Sequence, residues 1–195
     1  MSDLQLPEIE DASPLEEVDA AIADVLVPHA EHALVTIIGE LSEFSDQEPL
    51  YAAAAGVIAT GLVMRDGKTV QAGTQVLAAH LLATGLRGIV KRLVDRTRPD
   101  VAARKGEYEL SEGQRFESDF NSFPSGHSAG AFAFARAVGR NYPAARQAAL
   151  GAASAASAAQ VLRSKHFITD VVAGIAIGLV AEAAVDRLVQ RAARV

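Results

Sequence analysis

The sequence has no cysteine, and aromatic residues make up only 5% of its 195 positions. Without thiols, disulfides and thiolate metal sites are excluded. With so few aromatics, the 50% hydrophobic content rests heavily on alanine. That favours helices with closely approaching backbones over a β-sandwich. Basic residues are missing from the first 64 positions, which hold 13 Asp and Glu, while all 18 Lys and Arg follow against 11 acids. An acidic segment therefore precedes a basic, apolar body. The acidic start also lacks the basic n-region of a cleavable signal peptide. Nucleic-acid binding fits poorly, because the basic residues fall at expected helix ends and not along one polar stripe. Finally, no uncharged run reaches the ~20 residues that a membrane-spanning helix usually needs.

What is present divides the chain near residue 48, within a length suited to one domain. Residues 1–12 read as a disordered acidic tail. "SPLE" at Ser13 is a capping box, with Pro14 at the first helical position and Glu16 three residues after the cap. Leu15, Val18, Ile22 and Val25 recur at helical spacing until Pro28, and Ala30, Leu34, Ile37 and Leu41 continue the pattern to about Phe44. These amphipathic helices suit either a membrane surface or packing against the body. From 49 to 195, uncharged stretches at 49–64, 69–86 and 147–162, with apolar helical segments near 127–139 and 171–185, predict about five core helices. Gly126/Gly130 and Gly174/Gly178 stand four apart and permit tight helix packing. The expected fold is all-α, a membrane helical bundle, with a soluble Ala-rich bundle as the alternative.

Charge placement favours the membrane. If the core segments cross in turn, "RDGK" (65–68), "GRNYPAAR" (139–146) and the basic C-terminal tail share one side, and each is net positive. The positive-inside rule places that side in the cytoplasm. The connection 91–122, with seven basic and seven acidic residues, and residues 163–170 then share the outer face.

Three segments on that face carry chemistry. In "KRLVDRTRP", Lys91 and Arg98 are seven apart, so a continuing helix would present both on one face as a phosphate clamp before Pro99 ends it. In "PSGH", Ser125 suits an N-cap, the free N–H groups of the next turn suit an anion, and His127 suits proton transfer. In "KHFITD", His166 and Asp170 are four apart, where a carboxylate orients an imidazole. Each alone also suits an ordinary helix end, a capping histidine or a surface pair. His29 and His32 read as a solvated helix face without a third metal ligand, His80 as a core histidine, and 111–120 as a polar loop bordering the cavity.

Taken together, K-x6-R-P, P-S-G-H and H-x3-D in this order resemble the type 2 phosphatidic acid phosphatase superfamily. That group includes membrane lipid phosphatases, soluble bacterial acid phosphatases and vanadium haloperoxidases. The resemblance covers about 50–185 and leaves the acidic segment unexplained. It implies that Lys91, Arg98, Ser125 and Gly126 bind the phosphoryl group, that His127 protonates the leaving group, and that His166 is the nucleophile oriented by Asp170. It implies no metal and no cofactor. One departure is plain: the family's Ser-Arg, its Arg six residues before the nucleophile, is here Ala159-Gln160. Arg163 is the expected substitute cation. The implied function is metal-independent hydrolysis of a lipid phosphate or pyrophosphate in a bacterial inner membrane, with the site facing outward. The alternatives are a soluble acid phosphatase or vanadate-dependent haloperoxidase, and a catalytically impaired protein that binds a phosphorylated lipid.

Overall fold

The structure, a computed structural model, describes residues 4–113, 115 and 117–194; Gln114 and Phe116 of the expected polar loop lie outside them. Ser13 caps the first helix, α1 (Pro14–Leu26), through the capping box its sequence predicts: Ser13 Oγ accepts from Glu16 N, and the Glu16 carboxylate accepts from Ser13 N at 3.1 Å. Residues 4–12 have no helix or strand. They are not loose from Leu4 on, because Leu6 N donates to Asp24 Oδ1 at 2.7 Å. His32 caps α2 (Ala33–Ser42), its Nδ1 accepting from Leu34 N at 3.3 Å.

The expected apolar stripes of these two helices do not face the body. Leu15, Val18 and Val25 of α1 are exposed, as are Leu34, Ile37 and Leu41 of α2. Asp19 and Ala23 turn inward from α1, and Gly39 and Ser42 from α2. On α1 the polar position wins because the body offers Asp19 a buried cation, described below, and on α2 Gly39 and Ser42 turn inward to meet Arg163 and Gln160.

Five longer helices form the bundle that the apolar segments predict. They are α3 (Gln47–Met64), α4 (Gly67–Lys91) and, beyond a connection containing α5 (Pro99–Lys105), α6 (Gly126–Asn141), α7 (Arg146–Leu162) and α8 (Ile168–Ala192). Helix α6 is central and touches the other four. The core is alanine against alanine, with Ala54, Ala79, Ala133 and Ala181 completely buried beside Val76 and Val185. Small residues decide the helix spacing. A Cβ at Gly174 or Gly178 would lie 2.4 Å from the carbonyl oxygen of Ser125 or Ala129, so α8 runs directly against the α6 backbone. His80 is buried in α4, edge-on to Tyr51. Among the described residues α8 is the one helix long and apolar enough to cross a membrane; the α1–α2 pair, bent by 111°, passes only if counted as a single span.

The turns group as charge placement expects. At one end Lys68 lies over the Tyr142 ring, and Thr69 hydrogen-bonds its hydroxyl. Towards that end, buried Glu182 of α8 is met by Arg136 and Arg140 of α6. At the other end the 91–125 connection departs from the all-helical expectation. A short antiparallel ribbon pairs β1 (Val94–Arg96) with β2 (Leu110–Glu112), Asp95 opposite Ser111. The ribbon ends α4 at Lys91 and puts Arg98 on extended backbone at the start of α5. Lys91 and Arg98 therefore do not share one helical face, because β pairing claims the residues between them.

Candidate active site

Helix α4 brings two cations to this end of the bundle, and the connection brings a third. Arg87 and Lys91 are one turn apart on α4, and Lys91 lies within electrostatic reach of both Arg87 and Arg98. All three are half-buried. Arg98 Nε donates to Ser118 O at 3.0 Å, which leaves the rest of its guanidinium open. Most other basic side chains at this end are paired: Arg96, Arg104, Lys105, Arg115, Arg163 and Lys165 each reach a carboxylate. Arg87, Lys91 and Arg98 have no carboxylate within ion-pair distance among the described residues. Cations that repel one another and lie outside ion-pair distance of the described carboxylates favour a bound anion, with Asp46 the one acidic group in electrostatic reach of Arg87 among the described residues.

The start of α6 faces these cations. Ser125 is its N-cap, with Oγ accepting from Ser128 N at 3.5 Å and Ser128 Oγ at 3.1 Å. Its backbone N–H is held by Asp170 O at 3.0 Å, and its own hydroxyl hydrogen stays available. The Phe123–Pro124 bond before it is cis. Arg87 lies flat on this turn, its Nε 3.4 Å from Pro124 O. A Cβ at Gly126 would meet the Arg87 guanidinium at 3.1 Å, so glycine lets the cation approach the helix start.

His166 precedes α8 in a buried loop, and Asp170 sits in the first turn of that helix. His166 Nδ1 lies 2.7 Å from the Ser122 carbonyl. A carbonyl only accepts, so Nδ1 carries the proton and Nε2 of the neutral ring keeps its lone pair. Asp170 is 3.8 Å from Nδ1 and works mainly through the frame around the histidine. Its carboxylate accepts from Ser122 Oγ at 2.5 Å, Phe167 N at 2.8 Å and Arg96 Nη1 at 2.7 Å. Burial pushes the His166 imidazole below its ordinary value against the opposing pull of Asp170.

Arg96 joins this frame to the N-terminal segment. Its second terminal nitrogen reaches Asp19 of α1 at 2.8 Å, and Asp19 also accepts from Thr169 N at 3.1 Å. The guanidinium stacks 4.1 Å over Phe167 and donates to the Tyr108 hydroxyl at 3.1 Å. Burial pushes that hydroxyl up to about 12, and it donates in turn to Glu16.

Gln160 and Arg163 are turned to α2. Gln160 Nε2 donates to Ser42 Oγ at 2.9 Å. Arg163 pairs with Glu43 and reaches Gly39 O at 3.3 Å. Glu43 then faces His127, whose Nε2 is 3.6 Å from it and 3.9 Å from Asp46. Arg163 is thus one carboxylate away from His127 instead of beside the three open cations. Glu43, Asp46 and His127 each present a ligand atom within 4.8 Å of the others, the group best placed for a metal among the described residues.

The structure thus gathers Lys91, Arg98, Ser125, Gly126, His127, His166 and Asp170 at one end of the bundle. Sequence reasoning missed Arg87, Arg96, Asp19, Ser122, Glu43 and Asp46. Only Arg87 left a signal, standing one helical turn before Lys91. A bound anion here meets cations, a helix N-terminus, an imidazole lone pair and a second imidazole, the parts needed for phosphoryl transfer to nitrogen.

Comparison with known proteins agrees with this geometry. Residues 72–194 match the family model of the PAP2 superfamily. A lipid A 1-phosphatase of Rhizobium johnstonii is 34% identical over 93 residues, 48% of this chain and 38% of that protein. One from Rhizobium etli is 33% identical over 105 residues, 54% and 43% of the two. The matches thus span about two fifths of the length of these curated relatives. Among solved structures, a transmembrane PAP2-type phosphatidylglycerolphosphate phosphatase from Bacillus subtilis superposes with a TM-score of 0.72 at 23% identity, covering 93% of this chain and 89% of that one. Aquifex aeolicus LpxE gives 0.65 at 20% identity, covering 92% and 98%. These two likenesses concern the fold; the family match takes in all three motifs, and the chain belongs to the PAP2 superfamily.

Proposed function

We propose that this chain is a metal-independent integral-membrane phosphatase that hydrolyses a lipid phosphate through a phosphohistidine. The observation that carries the reading is the trio Arg87, Lys91 and Arg98, which meet no carboxylate within ion-pair distance among the described residues and bring Arg87 against the start of α6, in a chain of net charge −6. Placement in a membrane is supported by apolar side chains on the outside of the bundle, including Leu62, Val63, Leu81, Val180 and Leu188, and by the exposed stripe of α2. The positive turns at the far end support a bacterial inner membrane with the site facing the periplasm. A lipid phosphate as substrate is supported by what the named relatives and structural neighbours act on.

In this reading Arg87, Lys91 and Arg98 hold the phosphoryl oxygens with Ser125 and the first N–H groups of α6. Ser122 O fixes the His166 proton on Nδ1, so Nε2 attacks phosphorus. The bond from phosphorus to the leaving oxygen breaks, and His127 gives that oxygen a proton. Water then attacks the phosphohistidine, His127 takes back a proton, the P–N bond breaks, and phosphate leaves neutral His166. Asp170 steadies the charge on the ring while the nitrogen is phosphorylated. Arg163 acts through Glu43, which it holds against His127.

The test is phosphate release from a panel of lipid phosphates in excess chelator, wild type beside His166→Ala. Release that survives chelation and vanishes in the variant supports the proposal. Loss on chelation implicates Glu43, Asp46 and His127 in metal binding instead. Gln160, which hydrogen-bonds to Ser42 where the family has Arg, motivates one other reading: a protein that binds lipid phosphate without turnover. Folded wild type that releases nothing while binding the lipid would favour it.

A further inference from the structure

A cavity of about 470 Å³ lies at the end of the bundle opposite His166, between the last turns of α6 and α8 and the start of α7. Arg136 and Arg140 line it from α6, Arg146 from α7, and Asp186 and Gln190 from α8. The proposed reaction uses none of them. Arg136 and Arg140 stand about 14 and 20 Å along α6 from His127.

The carboxylates at this end hold the arginines in place without using up their donors. Buried Glu182 accepts from Nε of both Arg136 and Arg140. Asp186 accepts from Arg140 Nη1 at 3.1 Å and from Gln190 Nε2 at 2.8 Å. Arg140 is thereby fully engaged, since its Nη2 also reaches Glu182 at 3.3 Å. The terminal nitrogens of Arg136 and the whole guanidinium of Arg146 have no partner among the described residues. Three guanidinium groups thus meet two carboxylates, a surplus of one positive charge with donors left open. The backbone makes room for the third cation. A Cβ at Gly139 would lie 2.9 Å from Arg146 Cγ, so the glycine lets the Arg146 stem pack against α6 beside the other two.

Resting on the membrane placement given above, we propose that this cavity is a second anion site, built for a phosphate group and separate from the one at the start of α6. Its open donors are guanidinium groups, which bind two phosphate oxygens at once. The placement names the source. The cavity then opens at the inner surface of the membrane, where phospholipid headgroups lie. From residue 147 to 160 α7 carries no charge, so the acyl chains of a lipid seated there meet an apolar helix. An anionic phosphodiester headgroup, such as that of phosphatidylglycerol, fits both features. It is no phosphomonoester, so the cavity retains it and does not hydrolyse it. Once bound, it joins α6 to α7 at the far end from His127.

Arg146→Met tests the site without disturbing the buried pairs, because Arg146 has no ion pair to lose. The protein in non-ionic micelles is given dioleoyl phosphatidylglycerol, dioleoyl phosphatidylcholine or inorganic phosphate. Retained lipid is read by native mass spectrometry, and melting is followed by circular dichroism, since a ligand of the folded state raises the melting temperature. Wild type should retain phosphatidylglycerol and be stabilised by it. Arg146→Met should weaken that affinity by about tenfold or more, with partial recovery in Arg146→Lys. Two controls should bind as wild type does: Arg65→Gln, a cation in the α3–α4 turn outside the cavity, and Lys91→Met, in the other anion site. Stabilisation by inorganic phosphate alone, with the same dependence on Arg146, supports the cavity and makes a free anion its ligand. Equal retention of phosphatidylcholine, an equal loss in Arg65→Gln, or no loss in Arg146→Met overturns the proposal. Flotation with vesicles checks the reading beneath it. A chain that does not float with lipid overturns the membrane placement and the lipid ligand; one that floats but shows no dependence on Arg146 overturns the cavity site alone.

Discussion

Replacing Arg96 by methionine strips two buried carboxylates of their cation at once. The Arg96 side chain is 4% exposed, that of Asp19 1% and that of Asp170 0%, with contacts of 2.8 and 2.7 Å. Solvent therefore screens almost none of the interaction. A hydrogen bond between charged groups contributes about 1.5–3 kcal/mol, and breaking a buried ion pair by removing one partner costs about 3–5 kcal/mol. Two such bonds lost together give about 3–6 kcal/mol, which overlaps the ion-pair figure and places the loss for Arg96→Met at about 3–5 kcal/mol or slightly more. Asp19→Asn removes one charge and leaves the Asp170 contact intact, so its cost should be about 1.5–3 kcal/mol. The assay is equilibrium unfolding in mixed detergent micelles with increasing SDS, followed by circular dichroism, with phosphate release measured below the transition. Arg96→Met should also lose activity there, since the Asp170 carboxylate then keeps its hydrogen bonds from Ser122 and Phe167 beside His166 but loses its permanent cation. An Arg96→Met protein no less stable than Asp19→Asn would refute the reasoning, because the two carboxylates would then not depend on the shared cation.

Two further outcomes follow from the site. His166 is held below its ordinary value of 6.5 by burial, and attack needs the neutral ring; activity should persist as pH falls through 6.5 and drop only at lower pH, with Asp170→Asn moving the fall further down because it removes the anion that favours the charged ring. A kcat/KM profile whose acid limb lies at or above 6.5 would contradict this. Arg87→Met keeps the bulk against Gly126 but loses the charge, so kcat/KM should fall by roughly 10²–10³, with partial recovery in Arg87→Lys; a change within about threefold would remove Arg87 from the phosphate site.

The bundle was legible in the sequence because its signals are local. Pro14 and Ser13 start a helix without tertiary help, and uncharged alanine-rich stretches have no other stable use. Gly174 and Gly178 were readable as a packing face, since four-residue spacing is a property of one helix. P-S-G-H and H-x3-D were readable for the same reason, since each is confined to one helix start, whereas the two cations of K-x6-R-P lie on separate elements. Other features were set by partners distant in sequence. Arg98 left the helix of Lys91 because Val94–Arg96 pairs with Leu110–Glu112, and nothing within 91–98 announces that strand. Asp19 looked like one acid among many on α1 until a cation 77 residues away proved to be buried against it. Periodicity left open whether the apolar stripes of α1 and α2 face a membrane surface or the body, and on α1 the inward face is set by Asp19, since hydrophobic spacing takes no account of a buried charge seeking its pair.

The same pairing explains the acidic segment that the family resemblance left over. Four of its carboxylates meet the site end of the body: Asp19 at Arg96, Glu16 at Tyr108, Glu43 at Arg163 and His127, and Asp46 at His127. The charge asymmetry along the chain is thus a docking pattern, in which α1 reaches the frame of His166 and the end of α2 reaches His127. It also gives Gln160 a physical context. A guanidinium at 160 would stand where the carboxamide now bonds Ser42, beside an α2 end that already holds Arg163 through Gly39 and Glu43. A second cation there would compete for the same acceptors, whereas neutral Gln160 packs. In the proposed reading the phosphate draws its third charge from Arg87, which rests on the glycine that opens α6.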